Sequence, residues 1–245
     1  MTAIRITVTK TAGSVPRDAG TQMLVWADRT EGTIGGGTLE WEAMTEARRM
    51  LRDGRTNHSV TMPLGPALGQ CCGGSVSLLW EEAEAMTTPP ARPLWIYGAG
   101  HVGRALVNVM APLPDFDITW VDTGADRFPE TDVTILVAKN PALIVKHAPL
   151  DADHLILTYS HEIDLALCHA LLRHDFHGVG LIGSATKWAR FKSRLAALGH
   201  AHAQISRIAC PIGDPSLGKH PAAIALGVAT AMIRPEARQT KECTA

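Results

Sequence analysis

The sequence predicts an α/β protein: a small N-terminal α/β module followed by a C-terminal, Rossmann-like, doubly wound parallel sheet. Three observations carry that prediction. Short apolar runs of strand length alternate with helical segments through the second half of the chain, as in a parallel sheet with crossover helices. The run LWIY leads directly into Gly98-Ala99-Gly100-His101-Val102-Gly103, a glycine fingerprint set between a strand and a helix. Between the halves, EEAEAMTTPPARP is acidic, then proline-rich, with no apolar period, as linkers are. The expected layout is 1–80 for the first module, 81–92 for the linker, 93–235 for the Rossmann-like domain and 236–245 for a flexible polar tail.

In the first module, AIRITVTK alternates apolar and polar residues like a half-buried strand, and TQMLVWA is a second strand candidate. EGTIGGG reads as a loop. Thr38 is placed to cap a helix running to about Arg52, with Leu39, Ala43, Ala47 and Met50 or Leu51 on one face. SVTMPL and SVSLLW are further strands, separated by the glycine-rich LGPALGQCCGG. In the second domain the strand candidates are LWIY, DITWV, VTILV, HLILTY, GVGLIG and ISRIA. Helices are expected over His101–Met110, Glu162–Leu172, Thr186–Leu198 and Pro221–Ile233.

The bulk numbers narrow the function. The 245 residues are 46% hydrophobic and 19% charged, which suits a folded globular chain. A formal net charge of −1 supplies no field for nucleic acid or an anionic membrane, so neither is an expected partner. No apolar run approaches the roughly 18 residues of a membrane span, and Met1–Lys10 has no signal-peptide core, so a cytoplasmic location is expected. Five cysteines, two of them adjacent, do not make a disulfide framework in a reducing compartment.

Each motif has a chemical reading and a plainer one. Gly98 permits a tight turn, Gly100 lets a pyrophosphate approach the backbone, and Gly103 lets helix and strand pack closely, with the helix amino terminus at His101 facing the anion. Asp122, ending ITWVD, stands at the spacing of the acid that binds a ribose diol and repels a 2′-phosphate. The plainer reading is a Rossmann domain without its nucleotide. His161 and Asp164, after HLILTYS, are the best acid/base candidates. They serve equally as helix-start residues, with Asp164 answering the helix dipole. Gly35-Gly36-Gly37 precedes a helix start and so forms either an anion site or a tight turn, and Arg17 in GSVPRDAG adds a cation suited to phosphate. Cys71 and Cys72, wrapped in glycines, are either soft ligands for a sulfur-rich metal centre or small buried hydrophobes. Lys219, at the start of the last helix, is placed to reach a phosphate, although His220 breaks the P-loop pattern. Lys187, after GLIGSAT, has a similar position.

Taken together these motifs resemble one family. GSVPRDAGTQMLV, GTIGGGTLEWEA and LGQCCGG resemble the N-terminal module of the XdhC/CoxI family. IYGAGHVGRAL, TYSHEIDLAL, GLIGSATKWARFKSRL and CPIGDPSLGKHPAAIALGVA resemble its Rossmann module. The resemblance implies an accessory protein, rather than an enzyme, that binds the molybdenum cofactor (molybdopterin) as cargo. It also implies support of the cofactor's sulfuration and delivery into xanthine dehydrogenase or a related molybdenum hydroxylase. The expected partners are that client enzyme, a cysteine desulfurase and a second copy of the chain, with a cleft between the modules as the expected binding place. The rival readings are an NAD-dependent oxidoreductase using Gly98–Gly103 and Asp122, and a pure binding or scaffold protein with an empty Rossmann domain.

Overall fold

The computed structural model describes residues 2–65, 73–87 and 90–234. It divides into two compact units, Met1–Thr88 and Pro89–Ala245.

In the first unit, strands β1 (Ala3–Ala12), β2 (Gln22–Val25), β3 (Thr30–Gly32), β4 (Asn57–Pro63) and β5 (Ser75–Ala83) form an antiparallel sheet of order β3-β2-β1-β5-β4. Helix α1 (Gly37–Asp53) lies on one face. Its Leu39, Ala43, Ala47 and Met50 are buried with Ile4, Ile6, Met23, Leu78 and Trp80, and the Trp80 indole donates to the Ala43 carbonyl at 3.0 Å. The helix begins at Gly37 with Gly36 as its N-cap, not at Thr38. Gly36 has φ +74°, open to glycine without strain, and its amide hydrogen goes to Glu40 in the first helical turn. EGTIGGG is also not wholly loop, because its first two residues close strand β3. Strand β5 runs into the stretch read as linker: Glu81 and Glu82 pair with Arg5 and Ile4 of β1, and Arg5 holds Glu81 by an ion pair at 3.2 Å.

The second unit is a six-stranded parallel sheet among the described residues. Its strands are β6 (Arg92–Tyr97), β7 (Phe116–Asp122), β8 (Thr134–Val137), β9 (Asp153–Ile156), β10 (Gly178–Leu181) and β11 (Ile208–Ala209). The order β11-β10-β9-β6-β7-β8 is the doubly wound Rossmann arrangement, with the switch of direction between β6 and β9. Helices α2 (His101–Met110) and α6 (Pro221–Ile233) cover one face, burying Leu106, Val107, Ala225 and Val228 with Leu94, Ile96 and Trp120. Helices α3 (His161–Leu171) and α4 (Ala185–Ala197), with the short α5 (His202–Ile205), cover the other, around Tyr97, Val121, Ile156 and Leu181. The crossover from β8 to β9 is a 3-10 stretch, Pro141–His147, capped by the Asn140 side chain. Open doubly wound sheets bind ligands outside the carboxyl ends of their strands at the switch point. That topology brings the loops after β6, β7 and β9 together.

Candidate functional site

The fingerprint loop leaves β6 at Tyr97. Gly98 has φ +118°, and a Cβ there would overlap the Leu157 carbonyl of the neighbouring strand exit. At Gly103 a Cβ would overlap the Gly98 carbonyl itself, so helix α2 can start this close to the strand only with glycine at that place. Gly100 is different: a Cβ there meets nothing within 4 Å. It faces a cavity of about 430 Å³ lined by Ala99, Gly100, His101, Arg104, Asp126, Arg127 and Tyr159. Gly100 is also the N-cap of α2, makes no side-chain cap, and has no acid in the following turn, so the helix amino terminus is left for an outside acceptor.

Asp122 does not face this cavity as a ribose-binding acid would. It is 3% exposed. One carboxylate oxygen accepts the Ala99 amide at 2.5 Å, the other accepts the Thr123 amide at 2.6 Å and pairs with Arg127 Nε at 2.8 Å. Burial alone would raise its pKa, but these donors outweigh burial and hold the carboxyl below the ordinary aspartate range. Asp122 is thus a staple between the glycine loop and the β7 exit. Arg127, which it anchors, lies over the Tyr159 ring at 4.6 Å.

His161 and Asp164 are not assembled into an acid/base pair. His161 is exposed at the first position of α3. Asp164 is 1% exposed and fully engaged: Thr158 donates from its amide (3.2 Å) and hydroxyl (2.6 Å), and Lys187 Nζ lies 2.5 Å away. Lys187 also donates to the Ile182 carbonyl at 2.8 Å, so it is turned into the protein rather than toward a phosphate. Beside this pair, Cys168 is buried, and burial pushes its thiol well above the usual range. Lys219, by contrast, is exposed on a second carboxyl-edge cavity of about 430 Å³. Gly183, Ser184 and Ala185 at the start of α4, and Gly218 before α6, line the same space.

In the first unit three loops converge. A Cβ on Gly35 would strike the Pro16 ring at 2.7 Å and sit 3.4 Å from Arg17 Cγ, so the glycine run and the arginine loop are in contact. Ser14 forms a bridge with Gly73, and Gly74 is so close to the Ala12 and Ser14 carbonyls that no side chain fits. The anion site expected at Gly35-Gly36-Gly37 is filled by the chain itself. One Glu40 oxygen accepts the Ile34 and Gly36 amides, both at 3.0 Å, and the Thr33 hydroxyl. Cys71 and Cys72 lie outside the described residues.

Arg104 and Tyr159 lie inside the runs IYGAGHVGRAL and TYSHEIDLAL but were given no role from the sequence, and Arg127 lies in no motif. Arg127 sits in GADRFP, five residues past the acid, a spacing that marks nothing until the loop folds back.

The site is therefore that of a fingerprint-bearing Rossmann protein carrying a small α/β module, with anion-suited cavities along the carboxyl edge of its sheet. A family model described as the XdhC Rossmann domain matches residues 94–232, and one described as the XdhC and CoxI family matches residues 2–62. The chain belongs to the XdhC and CoxI family. It is 31% identical over 232 residues to the uncharacterized protein YqeB of Escherichia coli K12, an alignment covering 91% of this chain but 41% of that protein. The chain thus spans about two-fifths of the length of that relative. A crystal structure described as a xanthine dehydrogenase from Bacillus halodurans superposes with a TM-score of 0.82 over 100% of this chain and 94% of that one. At 18% identity, that likeness shows the fold. Among the described residues no helix is long and apolar enough to cross a membrane.

Proposed function

We propose that the chain is an accessory protein for molybdenum hydroxylases. It binds the molybdenum cofactor as cargo, supports its sulfuration with a cysteine desulfurase, and inserts it into xanthine dehydrogenase or a related enzyme. It works in the cytoplasm and as a homodimer. Family membership supports the class. The observation that supports binding over turnover is the Lys187–Asp164 pair: the carboxylate that stood with His161 as an acid/base candidate is consumed inside the fold. What remains open along the sheet edge suits phosphate, namely the Gly100 amino terminus with Arg104 and Arg127, and the α4 start with Lys219. The pterin's phosphate belongs at such a place. The soft, sulfur-rich end of the cargo suits the thiols of Cys71 and Cys72.

The test is to delete the gene, purify the client enzyme from that strain, and measure its cofactor content and activity. The expected result is a normal amount of polypeptide short of active cofactor. Normal content with normal activity overturns the reading. Steady substrate oxidation by the isolated chain, with NAD or a dye as acceptor, favours an oxidoreductase instead.

A further inference from the structure

In a Rossmann domain, an acid at the end of the second strand accepts the ribose diol of NAD, whereas a nearby arginine accommodates a 2′-phosphate. The sequence carries that acid, but the fold withdraws it. Both Asp122 oxygens are spent on the Ala99 and Thr123 amides and on Arg127, and the side chain is 2% exposed. The cavity meets two guanidinium groups in its place.

Both arginines are held from behind. Arg104 Nε donates to the Ala99 carbonyl at 3.0 Å and its Nη2 to the Arg127 carbonyl at 2.6 Å, which leaves Nη1 for other acceptors. Arg127 is held through Nε by Asp122 and lies over the Tyr159 ring, and among the described residues no hydrogen bond engages its Nη groups. The α2 amino terminus, uncapped by any side chain, adds its amides at Gly100. One carboxylate shares the rim: Asp126 lines the cavity and is exposed. Two preset guanidinium groups match the oxygens of a phosphomonoester, which carries about −1.5 to −2 charge, better than they match an uncharged diol.

We propose that this cavity reads a phosphomonoester, with Arg104 and Arg127 as the reading groups, and that it discriminates against a free ribose diol. The monoester is either the 2′-phosphate of an adenine dinucleotide or the phosphate of a pterin. The assignment deepens the function proposed above and rests on it only for the pterin source.

The purified chain is titrated with NADP+ and NAD+. Two further arms compare adenosine 2′-monophosphate with adenosine, and a pterin alkyl monophosphate with the same pterin alcohol. NADP+ is expected to bind at least about tenfold more tightly than NAD+, or ~1.4 kcal/mol. The ratio should shrink between about 0.02 and 0.5 M salt, close to within about threefold in Arg104→Gln/Arg127→Gln, and widen in Asp126→Asn. Phosphate-dependent binding in the adenosine arm, the pterin arm or both supports the proposal and names the source. If the double variant does not fold, Arg104→Gln alone, exposed and outside the core, should still reduce the ratio. Tighter binding of NAD+ than of NADP+, phosphate-dependent binding indifferent to salt and to the arginines, or no phosphate-dependent binding in any arm overturns it. Normal client maturation in the arginine variants without phosphate-dependent binding sinks this cavity alone. Phosphate-dependent binding beside normal maturation in the deletion strain sinks the accessory role alone.

Discussion

Lys187 Nζ lies 2.5 Å from Asp164 Oδ2, joining the first turn of α4 to the first turn of α3 beneath the carboxyl edge of the sheet. Lys187 is also 2.8 Å from the Ile182 carbonyl and stands over the Phe191 ring at 5.3 Å, and the two side chains are 10% and 1% exposed, so both charges are largely withdrawn from water. Removing one partner leaves an uncompensated buried charge. Lys187→Met or Asp164→Asn is expected to cost about 3 kcal/mol in urea unfolding. The double variant Lys187→Met/Asp164→Asn should cost less than the sum of the singles, the coupling that a double-mutant cycle reads. Additive losses show that the two residues do not act as a pair.

The three fingerprint glycines should separate cleanly. A Cβ at Gly98 or Gly103 overlaps a backbone carbonyl that cannot step aside, so Gly103→Ala is expected to lose about 3 kcal/mol or to yield no soluble protein. Gly100 has open space and φ −76°, so Gly100→Ala should keep its stability within about 1 kcal/mol while weakening any ligand of the fingerprint cavity. Thermal scans with a ligand titration of each variant check this. Equal destabilisation at positions 100 and 103 contradicts the assigned geometry.

Glu40 gives a pH signature. Burial by itself raises its pKa, but the Thr33 hydroxyl and the amides of Gly36 and Ile34 outweigh burial and lower it from the ordinary 4.5. With the folded value depressed, the stabilisation is complete above pH 4.5 and is lost as pH falls through the folded value. Glu40→Gln should therefore cost about 1 kcal/mol at pH 7 and flatten the acid limb of the melting-temperature profile below 4.5. An unchanged acid limb would assign the acid sensitivity to other carboxyls.

The adjacent thiols test the cargo reading. Cys71→Ala/Cys72→Ala is expected to fold normally and to bind molybdenum cofactor at least about tenfold more weakly, through loss of soft ligation. Titration of the purified double variant decides. Wild-type affinity makes the pair structural or idle.

Much of this protein was determined by the sequence alone, because its signals are local. Period-2 and period-3.6 apolar patterns follow from backbone geometry within a few residues, so helices at His101–Met110 and Pro221–Ile233 and the succession of parallel strands were legible directly. The turn and packing tasks of Gly98 and Gly103 were legible for the same reason, since they are set by neighbours in the same strand-turn-helix unit. What a polar side chain does was decided only by the tertiary structure. Asp122 has the position of a ribose acid in the sequence, but Arg127 and the Ala99 amide fold back on it. The Gly35-Gly36-Gly37 loop is built for an anion, and Glu40 supplies that anion from within. Lys187 and Lys219 occupy similar helix starts, yet one is sealed against Asp164 and the other lines an open cavity. A buried charge or amide must find a partner wherever the chain can bring one, and that partner can be 23 residues distant, as Ala99 and Lys187 are from theirs. No local pattern encodes such a meeting; the packing of whole strands and helices does.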